Sequence, residues 1–231
     1  MYDDLGFAQR FIERTTIGTQ EQTHLARAYW NRLVNLKQFM FTLFKPSDAK
    51  IEDFLASQKE LPFSYNEVGA SQAKIPPGYP INHRRIQIGS GADAFARAKE
   101  AIQSWTMYKL SWTRLYPTDA PVAVGKVVCV VVNHGFCWSV NPCRIIYILE
   151  ESGEVEKFGF AFGTLPGHSE AGEEQFTVEW RHADDSVWFE LLAFARPHHI
   201  LAKIGFPFVG LFQRKFAEDS GRTMLEAVEK I

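Results

Sequence analysis

The sequence predicts an α+β fold of the helix-grip kind. Seven antiparallel strands would form a curved sheet around a long C-terminal helix, with an extra helical extension at the N-terminus. Three observations carry this expectation. Strand-like runs follow one another from about residue 109 to 196, with Gly153, Gly167 and Asp184-Asp185 in the turns between them. One further strand precedes them, separated by a helical stretch. An apolar stripe at helical spacing (Phe208, Phe212, Phe216, Met224 and Val228) closes the chain. Strands joined by short turns make a meander, and a meander needs cover on one face to enclose a core.

The elements read in order as follows. Residues 20–44 place Leu25, Tyr29, Leu33, Leu36, Met40 and Leu43 or Phe44 on one helical face, with Arg27, Arg32 and Lys37 beside it. Such a basic amphipathic helix suits either packing on its own domain or peripheral contact with an anionic membrane. Lys45-Pro46 ends it, and 48–58 makes a shorter helix. The stretch 61–80 holds Pro62, Gly69, Pro76, Pro77, Gly78 and Pro80, which marks a structured loop. It divides an N-terminal helical extension, 1–60, from the main domain, 61–231.

A strand at 82–88 turns through Gly89-Ser90-Gly91 into a helix. Phe95, Ala98, Ile102 and Trp105 share a face of that helix, and Ser90 is placed to cap it. Strands are expected at 109–116, 122–133, 143–150, 156–165, 173–182 and 186–196. The closing helical region runs from Pro197, with a break near Gly205-Phe206-Pro207.

Two strands carry unusual faces. In FGFAFGT (158–164), Phe158, Phe160 and Phe162 point one way, and Gly159, Ala161 and Gly163 the other. Because side chains alternate, the second face is nearly bare backbone and invites close approach. In the last strand Val187, Phe189, Leu191 and Ala193 form one face, while Trp188, Leu192 and Phe194 lie on the other. Two apolar faces need two covers. The closing helix supplies one, and the N-terminal helix is a candidate for the other.

Composition narrows the function classes. The 231 residues hold 25 basic and 27 acidic side chains, a net charge of −2, which offers no bulk attraction to nucleic acid. Nineteen Phe, seven Tyr and six Trp supply large rings for a core or an apolar cavity. Cys129, Cys137 and Cys143 have neither an even count nor zinc-site spacing, so reduced thiols are expected, with Cys129 buried and inert. The N-terminus reads as no signal peptide, and no apolar run approaches a membrane span. A soluble, cytoplasmic protein is expected.

Several segments together resemble a known family. They are PFSYNEVGAS (62–71), IPPGY (75–79), the GSG at 89–91, FAFGTLPGHSEAGEEQF (160–176), VWFELLAFARP (187–197) and FVGLFQRKF (208–216). The family is domain-of-unknown-function family nineteen-ninety, an uncharacterised family of bacteria and plants. It is similar in turn to the START and birch-pollen-allergen superfamily. The resemblance covers about residues 60–228 and implies the same sheet-around-helix fold. It brings no catalytic residues. The superfamily mostly binds lipids, sterols or other apolar molecules, and some members are cyclases or hydratases. Ala161-Phe162 and Ala195 depart from the family's usual residues.

Candidate site residues follow from chemistry. His168 and Glu173-Glu174 flank a turn, where an imidazole beside a carboxylate suits acid–base work; solvent-facing turn residues are the plainer reading. Glu190 alternates with Trp188, Leu192 and Phe194, so it either orients a ligand in a cavity or pairs with a basic residue on a neighbouring strand. Arg196 suits an anionic head group. His198-His199 alone would not hold a metal, and His182 and Asp184 are the only further ligands suggested. Gly89-Ser90-Gly91 is too short a signature for a nucleotide.

The primary expectation is therefore a small apolar or amphipathic, lipid-like ligand in a sheet–helix cavity, contacted by Tyr108, Trp112, Thr164, His168, Trp188, Glu190 and Arg196. No metal or cofactor is implied. One alternative is an enzyme on a hydrophobic substrate with His168, Glu173 or another Glu as acid–base group. The other is an interaction module using the N-terminal helix. The sequence does not determine oligomeric state.

Overall fold

The computed structural model describes residues 40–198 and 206–229. Residues 20–39 of the helix expected at 20–44, and residues 199–205 including His199, lie outside the described residues. The elements are β1 (Phe41–Thr42), α1 (Asp48–Gln58), β2 (Ile81–Ser90), α2 (Gly91–Gln103), β3 (Thr113–Tyr116), β4 (Val127–Asn133), β5 (Trp138–Glu151), β6 (Val155–Thr164), β7 (Glu170–Arg181), β8 (Ser186–Pro197) and α3 (Phe206–Glu229). Seven strands run in the order β2-β8-β7-β6-β5-β4-β3, all antiparallel, and the two-residue β1 pairs with the start of β5. The sheet curves around α3 in the helix-grip fold that the strand order predicts.

The inner face of the sheet, α2 and α3 enclose one core. Phe158, Phe160 and Phe162 of β6, Phe176 of β7, and Phe189 and Leu191 of β8 point into it. They meet Trp105 and Tyr108 from the chain after α2, and Ala217, Met224 and Val228 from α3. The rings touch one another: Trp105 lies 4.8 Å from Phe160, and Tyr108 lies 4.9 Å from Phe216 and 5.6 Å from Phe176. At about 2 kcal/mol per buried ring, this cluster is a principal stabiliser of the closed sheet.

Part of the outer face is covered by the loop 61–80. Phe63, Tyr65, Ala70, Ile75 and Tyr79 pack with Ala171 and Phe194, and of the outer apolar residues of β8 named from the sequence only Phe194 joins this cluster, while Trp188 and Leu192 stay partly exposed. The bare face of β6 makes this possible. A Cβ at Gly163 would come within 2.3 Å of the Tyr65 hydroxyl and 2.9 Å of the Phe63 ring. The helix α1, assigned by sequence to the extension, reaches the β6–β7 turn, where the Gly167 N–H donates to Gln58 Oε1 at 3.0 Å.

Some boundaries differ from expectation, for physical reasons. Residues 41–42 at the end of the expected first helix are a strand, because the edge of β5 before β6 begins is open to them. The strand expected from 109 starts at Thr113. A short 3₁₀ turn at Thr106–Tyr108 first carries Tyr108 inward, anchored by the Trp105 indole donating to Ala120 O at 2.7 Å. The strand expected from 122 starts at Val127, after a segment containing Pro117, Pro121 and Gly125. The next strand begins at Trp138 rather than 143, since β4 pairs with it from there. Pro197 ends β8 instead of opening the closing helix; α3 begins at Phe206, within the break expected at 205–207, with Pro207 in its first turn, where proline costs no hydrogen bond. Ser90 occupies the N-cap position of α2, but its hydroxyl makes no capping bond.

Candidate functional site

Alternation along β7 sends consecutive glutamates to opposite sides of the sheet. Glu174 shares the inner face with Phe176, whereas Glu173 is on the outer face. The inner site is built from the start of β7. Glu174 Oε2 accepts from the Tyr108 hydroxyl at 2.8 Å, and Glu170 Oε1 accepts from the Gln213 amide of α3 at 2.7 Å. Both partners are neutral. The second oxygen of each carboxylate has no hydrogen-bond partner among the described residues, and both side chains retain some contact with solvent.

Burial raises both carboxyls to about 7, and for Glu174 the charge of Glu170 adds to the rise while the Tyr108 bond opposes it. The Tyr108 hydroxyl is pushed well up by burial and then by the Glu174 charge, so it remains a donor. Cys143, also on the inner face, is held as a thiol by burial. His168 stands at the same end. Its Nδ1 accepts from the Glu170 N–H at 2.9 Å, and burial, with repulsion from His198, lowers its pKa to about 3. It is a neutral imidazole with its proton on Nε2. Asn141 Oδ1 accepts from the Ser169 hydroxyl at 2.9 Å, which ties the turn to β5.

The outer site is closed. Glu173 is 1% exposed, and its carboxylate accepts from the Tyr65 hydroxyl at 2.8 Å, the Gly69 N–H, and the Ser71 N–H and hydroxyl at 3.0 and 2.6 Å. The Ser71 hydroxyl also lies 2.6 Å from that of Tyr147, whose pKa burial pushes up to about 12. Thr164 is in this layer too: its hydroxyl accepts from the Gly172 N–H at 3.0 Å and lies 2.6 Å from that of Ser64. These bonds fasten the loop to the sheet.

The remaining sequence candidates are dispersed. Trp188 and Glu190 are on the outer face, not in the sheet–helix interior, because Phe189 and Leu191 take the inward positions. Glu190 pairs with His83 at 2.6 Å and Arg85 at 3.0 Å, and Arg85 lies 5.0 Å from the Trp188 ring. Arg196 is exposed on the same side, 4.9 Å from the Tyr79 ring. Trp112 donates to Asp219 Oδ2 at 2.9 Å at the surface beside α3. Of the sequence candidates, Tyr108 bonds to Glu174 at the inner site, and His168 is tied to the backbone of Glu170. Glu170 and Gln213 were missed. The signal for Glu170 was its even spacing from Phe176, whereas Gln213 carried none. Among the described residues no group of three His, Cys, Asp or Glu is placed to hold a metal, and all three cysteines are free.

Residues 64–223 match the family described as a domain of unknown function (DUF1990). The chain belongs to this family. The DUF1990 segment contains both glutamate sites, while β1 and α1 precede it. The chain is 33% identical over 208 residues to a UPF0548 protein of Dictyostelium discoideum, covering 82% of this chain and 96% of that one. It is 36% identical over 155 residues to a UPF0548 protein of Arabidopsis thaliana, covering 65% and 74%. Among solved structures it is similar to human STARD10, at a TM-score of 0.43 and 10% identity over 81% of each chain. Norcoclaurine synthase from Thalictrum flavum gives a TM-score of 0.40 and 12% identity, covering 68% of this chain and 98% of that one. Similarity of this degree says nothing about ligand or chemistry.

Proposed function

We infer that this protein binds a small amphipathic molecule between the inner face of the sheet and α3, with its polar group at Glu170 and Glu174. The carrying observation is the pair of deep carboxylates, each with a neutral partner, a free oxygen and some contact with solvent. Purely structural glutamates in this fold are handled differently. Glu173 receives four donors, and Glu179 pairs with Arg85 and Arg181 at 2.7 and 2.6 Å. A carboxyl near 7 binds either a hydrogen-bond acceptor, when protonated, or a donor, when ionised. The aromatic cluster beneath supplies the apolar surface, and its ring-on-ring packing favours a compact ligand over a long acyl chain.

Native mass spectrometry of the purified full chain, followed by denaturation and identification of the released molecule, tests this reading. A stoichiometric mass, lost in Glu174→Gln and Tyr108→Phe while the outer-face Glu190→Gln retains it, is the expected result. A chain that carries nothing, and takes up nothing from a metabolite and lipid extract, would refute it.

The same carboxyls support a second reading as acid–base catalysts on a hydrophobic substrate, because a pKa near 7 matches the working pH. Incubating the released molecule with protein in deuterated water separates the two. Deuterium entering carbon positions, abolished by Glu174→Gln, means catalysis; an unchanged ligand means binding alone.

A further inference from the structure

We propose that the edge of the sheet where the chain leaves β1, together with the β4–β5 hairpin tip, docks on an anionic lipid bilayer. Among the described residues the most exposed large apolar side chains are Phe44, Phe136 and Leu43, at 81%, 80% and 76%. The pairing of Thr42 with Trp138 brings them together. The chain runs from β1 to Phe44 beside the hairpin tip that carries Phe136. On α3, Leu211 is 56% exposed, and the next residue, Phe212, packs 4.9 Å from His134 of the hairpin and 6.1 Å from Trp112, which brings this turn of the helix to the tip.

Beside this wedge lies a concavity of about 210 Å³, lined among others by Lys45, Ser111, Trp112, Arg114 and Trp138. Lys45 Nζ is 6.0 Å from the Trp138 ring and joins no ion pair among the described residues. Arg114 donates to Asp48, yet its Nε is buried and without a hydrogen-bond partner among the described residues. Lys215 Nζ lies 5.5 Å from the Trp112 ring. Of the acids near this surface, Asp48 is engaged by Arg114 and Asp219 by Lys215 and Trp112.

Protruding phenylalanines, flanking indoles and a cationic hollow match the layers of a bilayer surface in order. Apolar tips enter the acyl boundary, tryptophans sit among head groups, and cations meet lipid phosphate. The hollow is sized for a head group, and an uncompensated lysine there favours an anionic lipid. This surface is separate from the interior site and does not depend on it.

Co-sedimentation of the full chain with phosphatidylcholine vesicles containing about 30% phosphatidylserine tests the proposal. Binding is expected, weakening as salt rises. Phe44→Ser with Phe136→Ser should lower partitioning about tenfold or more, and Lys45→Glu about threefold. All three positions are exposed, so the melting temperature should not move. Failure of the wild-type chain to sediment would overturn the proposal. So would equal binding to pure phosphatidylcholine, or undiminished binding by the phenylalanine pair, which would assign the contact to residues before β1.

Discussion

Glu173 and Glu174 differ by one position and live in opposite electrostatic worlds. Glu174 has its pKa raised to about 7, so the folded state holds protons that the unfolded chain has released between about pH 4.5 and 7. Stability contributed by the protonated form is therefore lost as pH rises through that window, on the order of 2–3 kcal/mol by pH 8. Glu170 acts in the same direction, whereas His168, lowered to about 3, costs stability as pH falls from 6.5 toward 3. We expect Glu174→Gln to flatten the decline in melting temperature between pH 5 and pH 8, which thermal melts across that range would reveal. Should the decline persist unchanged, Glu174 does not titrate near 7. Glu173 is held by hydrogen-bond donors. Glu173→Ala removes the acceptor of the Tyr65 and Ser71 hydroxyls and of two N–H groups, an expected loss of about 3 kcal/mol or more in urea unfolding. Glu190→Gln, on a partly exposed ion pair, should cost under about 1 kcal/mol. The sequence marked His168 and the glutamate pair as unusual, but which of two adjacent carboxylates points inward follows from strand register, and register needs the neighbouring strands.

At the scale of elements, the loop 61–80 behaves as a strap tied by the Glu173 carboxylate and by Ser64 on Thr164. Its proline and glycine content announced an ordered loop, and the bare face of β6 announced that something would approach closely. That the two belong together was not legible: Tyr65 and Gly163 are far apart in sequence, and only the fold brings the phenol over the missing side chain. Gly163→Ala should displace Tyr65 and destabilise the protein by about 1–3 kcal/mol, visible in the urea midpoint. Hydrogen exchange of Glu173→Gln should show faster exchange confined to about residues 64–72, with β5 to β8 still protected. Uniform acceleration through the sheet would mean that strap and sheet open as one unit. The strands themselves were read well wherever alternation was strong. The misses at 41–42, 109–112 and 138–142 fall where tertiary partners override local pattern: an open edge, an inward turn around Tyr108, and a neighbour that extends β5.

For the whole molecule, the described residues contain no helix long and apolar enough to cross a membrane. The two proposed surfaces, an interior polar end and an exposed aromatic edge, make different demands on solvent. The first predicts that a bound ligand raises the melting temperature less in Tyr108→Phe than in wild type, read by thermal shift with the molecule recovered from the native protein. By itself the sequence determined the element order, the seven-stranded meander, the closing helix and the family, because periodicity and turn residues are local properties. The tertiary structure alone decided which face of each strand is interior, which glutamates are closed by donors and which stay open, and where exposed phenylalanines from separate segments meet. Those outcomes depend on register and burial, which are relations between distant segments and are absent from any single stretch of chain.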